Sequence, residues 1–328
     1  MLSRNTLLSI LILAALGPAE ALRYLGRVNP ATKELTWSNT GVSFTFTGSS
    51  ATIGFEGLSG TSSAELIIDR KSTYISNLSG MSISTPVNLT RGQHTVTLRK
   101  SSEALFGSIY ISNVTTDGRF GADVAPSKRK IEVIELISEG YSVRTAAAFK
   151  ADLSIISWSG IGIIRNYDSG GSDTGPIMPV RHTKYGANDA DNSYPFPRSD
   201  APDAVVINLG TNDFGHNTRP VLSATDYTAA VVKFVKQIKS SYKTNPAFFL
   251  LTSPMLNDGY PSAEEAQHTT QFNALNEAVK QLNGTAKATV VDWPLQGSDL
   301  GCDYHPTPNT NEIAAGKLIA AMGKVLRW

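Results

Sequence analysis

Residues 130–153 read KIEVIELISEGYSVRTAAAFKADL, and their order decides the fold class. Ile131–Ile134 has the length and composition of a buried strand. An alanine-rich helical stretch follows over Tyr141–Lys150, and a second apolar strand opens at Leu153. A strand, a helix and a strand in so short a span predict a parallel crossover unit whose faces are both covered. The alternation continues with strands at Leu153–Trp158, Ala204–Leu209, Ala247–Leu251 and Ala288–Val291, and helical stretches at Ala224–Tyr242, Ala263–Leu282 and Asn311–Leu326. The expected fold of this half is α/β, a parallel sheet with helices on both faces. In such sheets reactive groups collect in the loops at the carboxyl ends of the strands.

The chain upstream has another period. Val42–Phe46, Ala51–Phe55, Ala64–Ile68, His94–Leu98 and Gly107–Ile111 alternate apolar and polar residues between turns rich in Gly, Ser, Asn and Pro. That pattern predicts an antiparallel β-sandwich of jelly-roll type. Asp117-Gly118 and Pro126 interrupt both patterns, which places the boundary near Thr116–Ser127. The expected division is a sandwich domain over residues 22–121 and an α/β domain over residues 122–328, consistent with a length of 328 residues.

Residues 1–21 read as a secretory signal: Arg4, an apolar run from Leu7 to Leu16, then Gly17, Pro18 and the small-residue frame Ala19-Glu20-Ala21, with cleavage after Ala21. That run is too short to span a bilayer, and no later segment is long enough, so no membrane association is expected. Asn-x-Ser/Thr triplets at Asn77, Asn88, Asn113 and Asn283 fit glycosylated loops of a secreted protein. Lys and Arg number 29 against 28 Asp and Glu, which leaves no basic field to attract nucleic acid or anionic lipid. The expected partner is small or neutral, and the protein is expected to be a monomer.

Three loops after strands carry candidate chemistry. VVINLGTNDFG (Val205–Gly215) puts small residues and the Asn212 amide at the sheet edge, where the amide can donate to an oxyanion; Asn and Asp there could equally cap a helix. SWSGIGIIRNY (Ser157–Tyr167) brings the backbone N–H groups of Gly160 and Gly162 to a strand end, suited to a second oxyanion donor or to a plain tight turn. GCDYHP (Gly301–Pro306) sets His305 before the last helix, where it can reach over the sheet as a general base, with Asp303 as its orienting carboxylate. His94, His182, His216 and His268 have no metal-ligand spacing, and no metal or other cofactor is expected.

Taken in order behind a sandwich ending in HTVTLRKSSEALFGSIYIS, these three motifs resemble carbohydrate esterase family 2 of the SGNH (GDSL-type) hydrolases, over nearly all of the chain beyond residue 21. The resemblance implies a jelly-roll domain followed by a flavodoxin-like hydrolase domain, and a serine esterase that removes acetyl groups from plant cell-wall polysaccharide such as acetylxylan. It implies Gly160 and Asn212 as oxyanion donors and His305 as base, oriented by Asp303 or by backbone carbonyl groups. With a carbohydrate substrate, Trp158, Trp293 and Tyr304 are candidates to stack on sugar rings, although Trp158 continues a buried strand and core packing is the stronger reading for it.

The chain departs from that family in its opening stretch. Members follow the strand equivalent to Ile131–Ile134 with a Gly-Asp-Ser block and a long loop, whereas here Glu135-Leu136-Ile137-Ser138-Glu139-Gly140 leads directly into the helix. Ser138 is the local candidate nucleophile, and also a plausible helix N-cap. Cys302 is the single cysteine. If relatives pair the cysteine beside the histidine, its partner would lie on the absent loop. Two readings stand: a secreted deacetylase of acetylated polysaccharide, or a catalytically impaired carbohydrate-binding homologue.

Overall fold

The structure is a computed structural model that describes residues 22–135, 140–168, 175–215, 219–295, 301–302 and 305–328. The expected leader and Ser138, His216, Asp303 and Tyr304 lie outside the described residues.

Two antiparallel sheets form the first part. One holds β1 (Arg23–Leu25), β3 (Gly41–Gly48), β8 (Gly92–Lys100), β5 (Ala64–Ile68) and β6 (Lys71–Ile75) in that order, with β10 (Arg119–Phe120) on β3. The other holds β2 (Glu34–Leu35), β9 (Ile109–Thr116), β4 (Ala51–Leu58) and β7 (Ser82–Ser84). Inward residues of both, among them Val42, Phe44, Phe46, Ile53, Phe55, Leu66, Leu98 and Ile111, share one core. The sequence missed β6 because its KSTYI is an edge strand, exposed over most of its length, with no apolar face to give it a period.

The second part is a parallel sheet in the order β12-β11-β13-β14-β15: Asp152–Ser157, Lys130–Glu135, Ala204–Asn208, Ala247–Leu251 and Lys287–Val291. This is the flavodoxin-like order, with the strand sequence reversing direction between β11 and β13. Alternate residues of each strand face opposite sides. Ile134, Ile156, Ile207 and Leu250 pack against α4 (Ala224–Tyr242) and α5 (Gln267–Gln281). Val133, Ile155, Val206 and Phe249 pack against α1 (Gly140–Phe149) and α6 (Pro308–Leu326). Short helices α2 (Met178–Arg181) and α3 (Thr211–Phe214) lie in loops that the sequence left without structure.

Helix α5 starts at Gln267, later than the expected Ala263. Ala266 is left-handed at φ 38°, and the Asp258 carboxylate, from the preceding loop, takes the Thr269 N–H at 2.8 Å. Helix α6 starts earlier than expected, because Thr307 caps the Thr310 N–H at 3.2 Å and Pro308 stands in the first turn, where its missing N–H has no cost.

The two parts are tied by buried polar contacts. Arg27, between β1 and β2, donates to the carbonyls of His182 (2.5 Å) and Lys184 (3.0 Å) and pairs with Glu132 of β11 at 3.1 Å. Its guanidinium stacks 3.8 Å from the Tyr194 ring centroid. Trp37 donates its indole N–H to the Tyr185 carbonyl at 2.6 Å.

Candidate functional site at the carboxyl end of the parallel sheet

The strands end in a polar row. Glu135 lies in register with Ser157 on one side and Asn208 on the other, and all three are buried. Above this row, at the β11/β13 reversal, the loops that follow the strands meet.

The loop after β12 turns at Gly160, whose φ of 75° is a conformation that side chains with a Cβ rarely adopt. Its carbonyl accepts from Tyr167 N–H at 2.6 Å, closing a compact loop, while its own N–H meets no acceptor among the described residues. Gly162 differs: its N–H donates to Asn166 Oδ1 at 3.2 Å and is already engaged. Of the two amides that the sequence offered, the structure leaves Gly160 the unengaged one.

The loop after β13 is pinned from beneath. The Leu209 carbonyl accepts from the Tyr227 hydroxyl at 2.8 Å and from Gln271 Nε2 at 2.9 Å, and the Thr211 and Ser253 hydroxyls meet at 2.5 Å. At Gly210 (φ 129°) an added Cβ would stand 2.2 Å from Gln271 Nε2 and 2.6 Å from the Tyr227 hydroxyl, so these clamps require glycine. Asn212 follows at the start of α3 and donates one amide hydrogen to the Ile161 carbonyl at 2.7 Å. This bond sets its amide beside the Gly160 loop and leaves the second hydrogen for another acceptor.

Asp213 binds the two loops together. Its carboxylate accepts from the N–H groups of Ile163 (2.9 Å), Ile164 (2.7 Å) and Arg165 (3.1 Å), while Arg165 Nε donates back to the Asp213 carbonyl at 2.7 Å. Arg219 adds bonds to the carbonyls of Asn166 (2.8 Å) and Gly215 (2.9 Å). Sequence reasoning missed this clamp: one carboxylate serving three successive N–H groups about fifty residues away leaves no local pattern.

Burial pushes the Asp213 carboxyl up to about 6, against the opposing pull of the three N–H groups and Arg165. A carboxyl raised in the folded state holds its proton more tightly there. Its contribution to stability is full below the ordinary carboxylate range and is lost as pH rises through about 6. Replacing Asp213 by asparagine is therefore expected to lower the melting temperature at all pH, with a gap to the native protein that narrows between about pH 4 and about pH 7. Thermal melts of both proteins across that range check it; a gap that widens with pH would contradict it.

His305 is exposed, in the two-residue hairpin of β16 (Gly301–Cys302) and β17 (His305–Pro306), where it stands opposite Cys302. The hairpin leads into α6, and Asn311 Oδ1 accepts the Tyr141 N–H of α1 at 3.3 Å. The starts of α6 and α1 are thus held at the same end of the sheet. Gly160 and Asn212 accordingly lie in the loops just past the carboxyl ends of β12 and β13, and His305 opens β17 ahead of α6.

Two aromatic expectations change. Trp293 is 2 % exposed and packs edge-on to Tyr141 with ring centroids 4.5 Å apart, so its ring shows no open face to a sugar. Trp158 is half-buried, with the Arg181 guanidinium 3.4 Å from its ring centroid, so one face is taken by a cation. His182, read as a loop residue, is fully buried and bonded to Glu132 Oε1 at 2.8 Å. His268, on α5, pairs with Asp292 just past β15 at 3.2 Å. No group of three or more His, Cys, Asp or Glu able to hold a metal occurs among the described residues, and no helix among them is long and apolar enough to cross a membrane.

Comparison with known proteins gives this geometry a lineage. Residues 24–123 match the carbohydrate esterase 2 N-terminal family, and residues 141–313 match the GDSL-like lipase/acylhydrolase family. Among curated proteins, an acetylxylan esterase/glucomannan deacetylase of Cellvibrio japonicus is 29% identical, with 88% of this chain and 85% of that protein covered. Among solved structures, a carbohydrate esterase family 2 enzyme with a carbohydrate-binding domain from Corynascus thermopiles (Myceliophthora fergusii) is 50% identical at a TM-score of 0.88, covering 94% of this chain and 100% of that one. A family two carbohydrate esterase from Clostridium thermocellum in complex with cellohexaose shares the fold at a TM-score of 0.79 and 24% identity, over 94% of this chain and 99% of that one. With a sandwich that matches the family's N-terminal domain, a 2-1-3-4-5 parallel sheet that matches the GDSL-like hydrolases, and a family enzyme 50% identical to it, this chain belongs to carbohydrate esterase family 2.

Proposed function

We propose that this protein acts on acetylated plant cell-wall polysaccharide, such as acetylxylan, outside the cell, and that serine–histidine deacetylation is the chemistry its site is shaped for. The observation that carries this reading is the bond from Asn212 to the Ile161 carbonyl, which sets an amide donor beside the unengaged Gly160 N–H at the sheet's carboxyl end. Two such donors, fixed before the substrate arrives, suit the negative oxygen of a tetrahedral acyl intermediate. In this scheme a serine hydroxyl attacks the acetyl carbonyl and His305 takes its proton. The intermediate collapses with the alcohol of the sugar as leaving group, reprotonated by His305, and water then releases acetate from the acyl-enzyme. Ser138 is the serine at the strand–helix junction, and Asp303 or backbone carbonyl groups orient His305. Trp158 and Tyr304 are the aromatic contacts kept for the sugar.

A second reading, binding without turnover, is favoured by a different observation. Strand β11 runs unbroken to Glu135 and α1 begins at Gly140, so the junction has no room for the Gly-Asp-Ser block and loop of the family pattern. Acetate release from acetylated xylan, abolished by Ser138→Ala and by His305→Ala, would establish catalysis. Retention on xylan without acetate release would establish binding alone.

We also propose a leader over residues 1–21, a sandwich domain over 22–121, a hydrolase-like domain over 122–328, and a monomeric state. Asn77, Asn88, Asn113 and Asn283 are all exposed, as glycan acceptors must be. Enzymatic deglycosylation of the natively secreted protein is expected to lower its mass, and tryptic mapping to recover IEVIELISEGYSVR, Ile131–Arg144, with Leu22 as the first residue of the chain. An unchanged mass would remove the glycans from the account.

A further inference from the structure

A groove of about 540 Å³ separates the outer face of the β3–β8–β5–β6 sheet from helix α1. We infer that this groove is a second carbohydrate subsite, for an oligosaccharide that carries a carboxylate (a uronic acid), with Arg99 and Arg70 as its anion-binding pair. The inference rests on the polysaccharide reading above, but requires no turnover.

Its two walls differ in chemistry. The helix wall is small and apolar, with Val143 and Ala147 both exposed on α1. The sandwich wall is polar, with Asn39, Glu65, Arg70, Ser72 and Arg99 among its residues. A pyranose has the same division, carbon-bound hydrogens on its faces and hydroxyls at its edges, and the volume lies within the roughly 300–1,000 Å³ usual for small-ligand sites.

The positive charge on this wall is incompletely answered. Arg99 Nη1 donates to Asn39 Oδ1 at 2.8 Å, whereas Nη2, the outer nitrogen of the fork, has no acceptor among the described residues. Glu65 faces Arg99 across the β5–β8 register, yet its carboxylate is bonded by the Ser72 hydroxyl, and no ion pair joins it to Arg99 among the described residues. Burial accordingly pulls the Arg99 guanidinium below its usual range, with Glu65 and Asp152 opposing and Arg23 reinforcing. A half-buried guanidinium with unfilled donors gains most from a planar carboxylate, which can accept two of its N–H groups at once. Lys100 contributes no free charge here, because its ammonium is held by the carbonyls of Ser102 (2.6 Å) and Glu103 (2.8 Å). Arg70 is exposed at the rim, and with Arg99 it outweighs Glu65, so the groove selects an anion.

The test is calorimetric titration of the intact protein with unacetylated xylo-oligosaccharides bearing a glucuronic acid branch, beside the same oligosaccharides with the branch removed. Binding of the acidic ligand is expected to be at least about tenfold tighter, and to weaken in high salt as a charge-assisted contact does. The preference should vanish in Arg99→Gln and diminish in Arg70→Ser. Val143→Trp, at an exposed helix position, should obstruct the groove while leaving the half-buried Arg99 in place, so the inference stays testable even if Arg99→Gln does not fold. Equal affinity for the two ligands, no heat from either, or a preference that survives in Val143→Trp would overturn it. Because the ligands carry no acetyl group and the readout is heat, failure here is distinct from failure of the deacetylation reading, which is judged by acetate release and His305→Ala.

Discussion

Insertion of a Gly-Asp-Ser block and its loop between Glu135 and Gly140 is expected to raise acetate release from acetylated xylan by about a thousandfold or more, since a lost nucleophile costs hydrolases of this mechanism at least that much. The physical argument lies in the junction. In the proposed mechanism the serine meets His305 on the β16–β17 hairpin and two donors on the loops after β12 and β13, while its own backbone leaves the end of β11. In this chain β11 keeps its register with both neighbours through Glu135, whose side chain is buried at the level of Ser157 and Asn208. Ser138 must then be delivered within residues 136–139 before α1 starts at Gly140, and a displacement of about 1 Å from attack geometry already costs on the order of a hundredfold. The measurement is initial rate on acetylated xylan for the native chain, the insertion variant, and the insertion variant carrying His305→Ala, which should fall by about 10²–10⁴-fold. A native chain as fast as the insertion variant would show that Ser138 is correctly placed, and Ser138→Ala would then silence it.

Replacing Arg27 by methionine is expected to destabilise the protein by about 3–5 kcal/mol, as breaking a buried ion pair from one side does. Arg27, Glu132 and His182 are all buried, and Tyr242 adds its hydroxyl to Glu132 Oε2 at 2.7 Å. Burial by itself would raise the Glu132 carboxyl, but His182, Arg27 and the Tyr242 bond outweigh it and hold the group at about 2. The variant loses that pairing, the stacking on Tyr194 and the bonds to the His182 and Lys184 carbonyls, which join the sandwich side of the molecule to the α/β side.

The pH dependence of that loss has a definite sign. Burial holds the His182 imidazole below its usual range, Glu132 opposes this and Arg27 reinforces it. Without Arg27, His182 becomes the cation beside Glu132 and its pKa rises. A raised folded-state value contributes stability at low pH that disappears as pH climbs through it. Urea unfolding should therefore show a larger penalty near about pH 8 than near about pH 5, and a penalty independent of pH would mean that His182 does not take over.

How much of this protein the sequence carried depends on the range of the interactions involved. Strand Ala247–Leu251 and helix Ala224–Tyr242 coincide with their expected limits, because a continuous apolar run and a 3.6-residue period are local signals, sharpened by the Ser223 cap. The places of Gly160 and Asn212 just past apolar strands, and of His305 before the last helix, could be read from the chain because strand ends and helix starts are local signals. The absence of the Gly-Asp-Ser block is likewise a property of the chain as written.

What the sequence left open required distant residues to meet. Trp293 and Trp158 look alike as aromatic residues near strand ends, but one is sealed against Tyr141 and the other lies under Arg181, and only packing tells them apart. His182 offered no sign of its partner Glu132, fifty residues away, nor did Asp213 of the loop amides it holds. The groove beside Arg99 exists only because a sandwich face and a helix from different halves of the chain stand next to each other. Local periodicity and turn chemistry determined which elements form and where reactive loops emerge. Burial, charge pairing and the choice of which polar groups remain unanswered depend on contacts between residues far apart in the chain, and tertiary structure alone decided them.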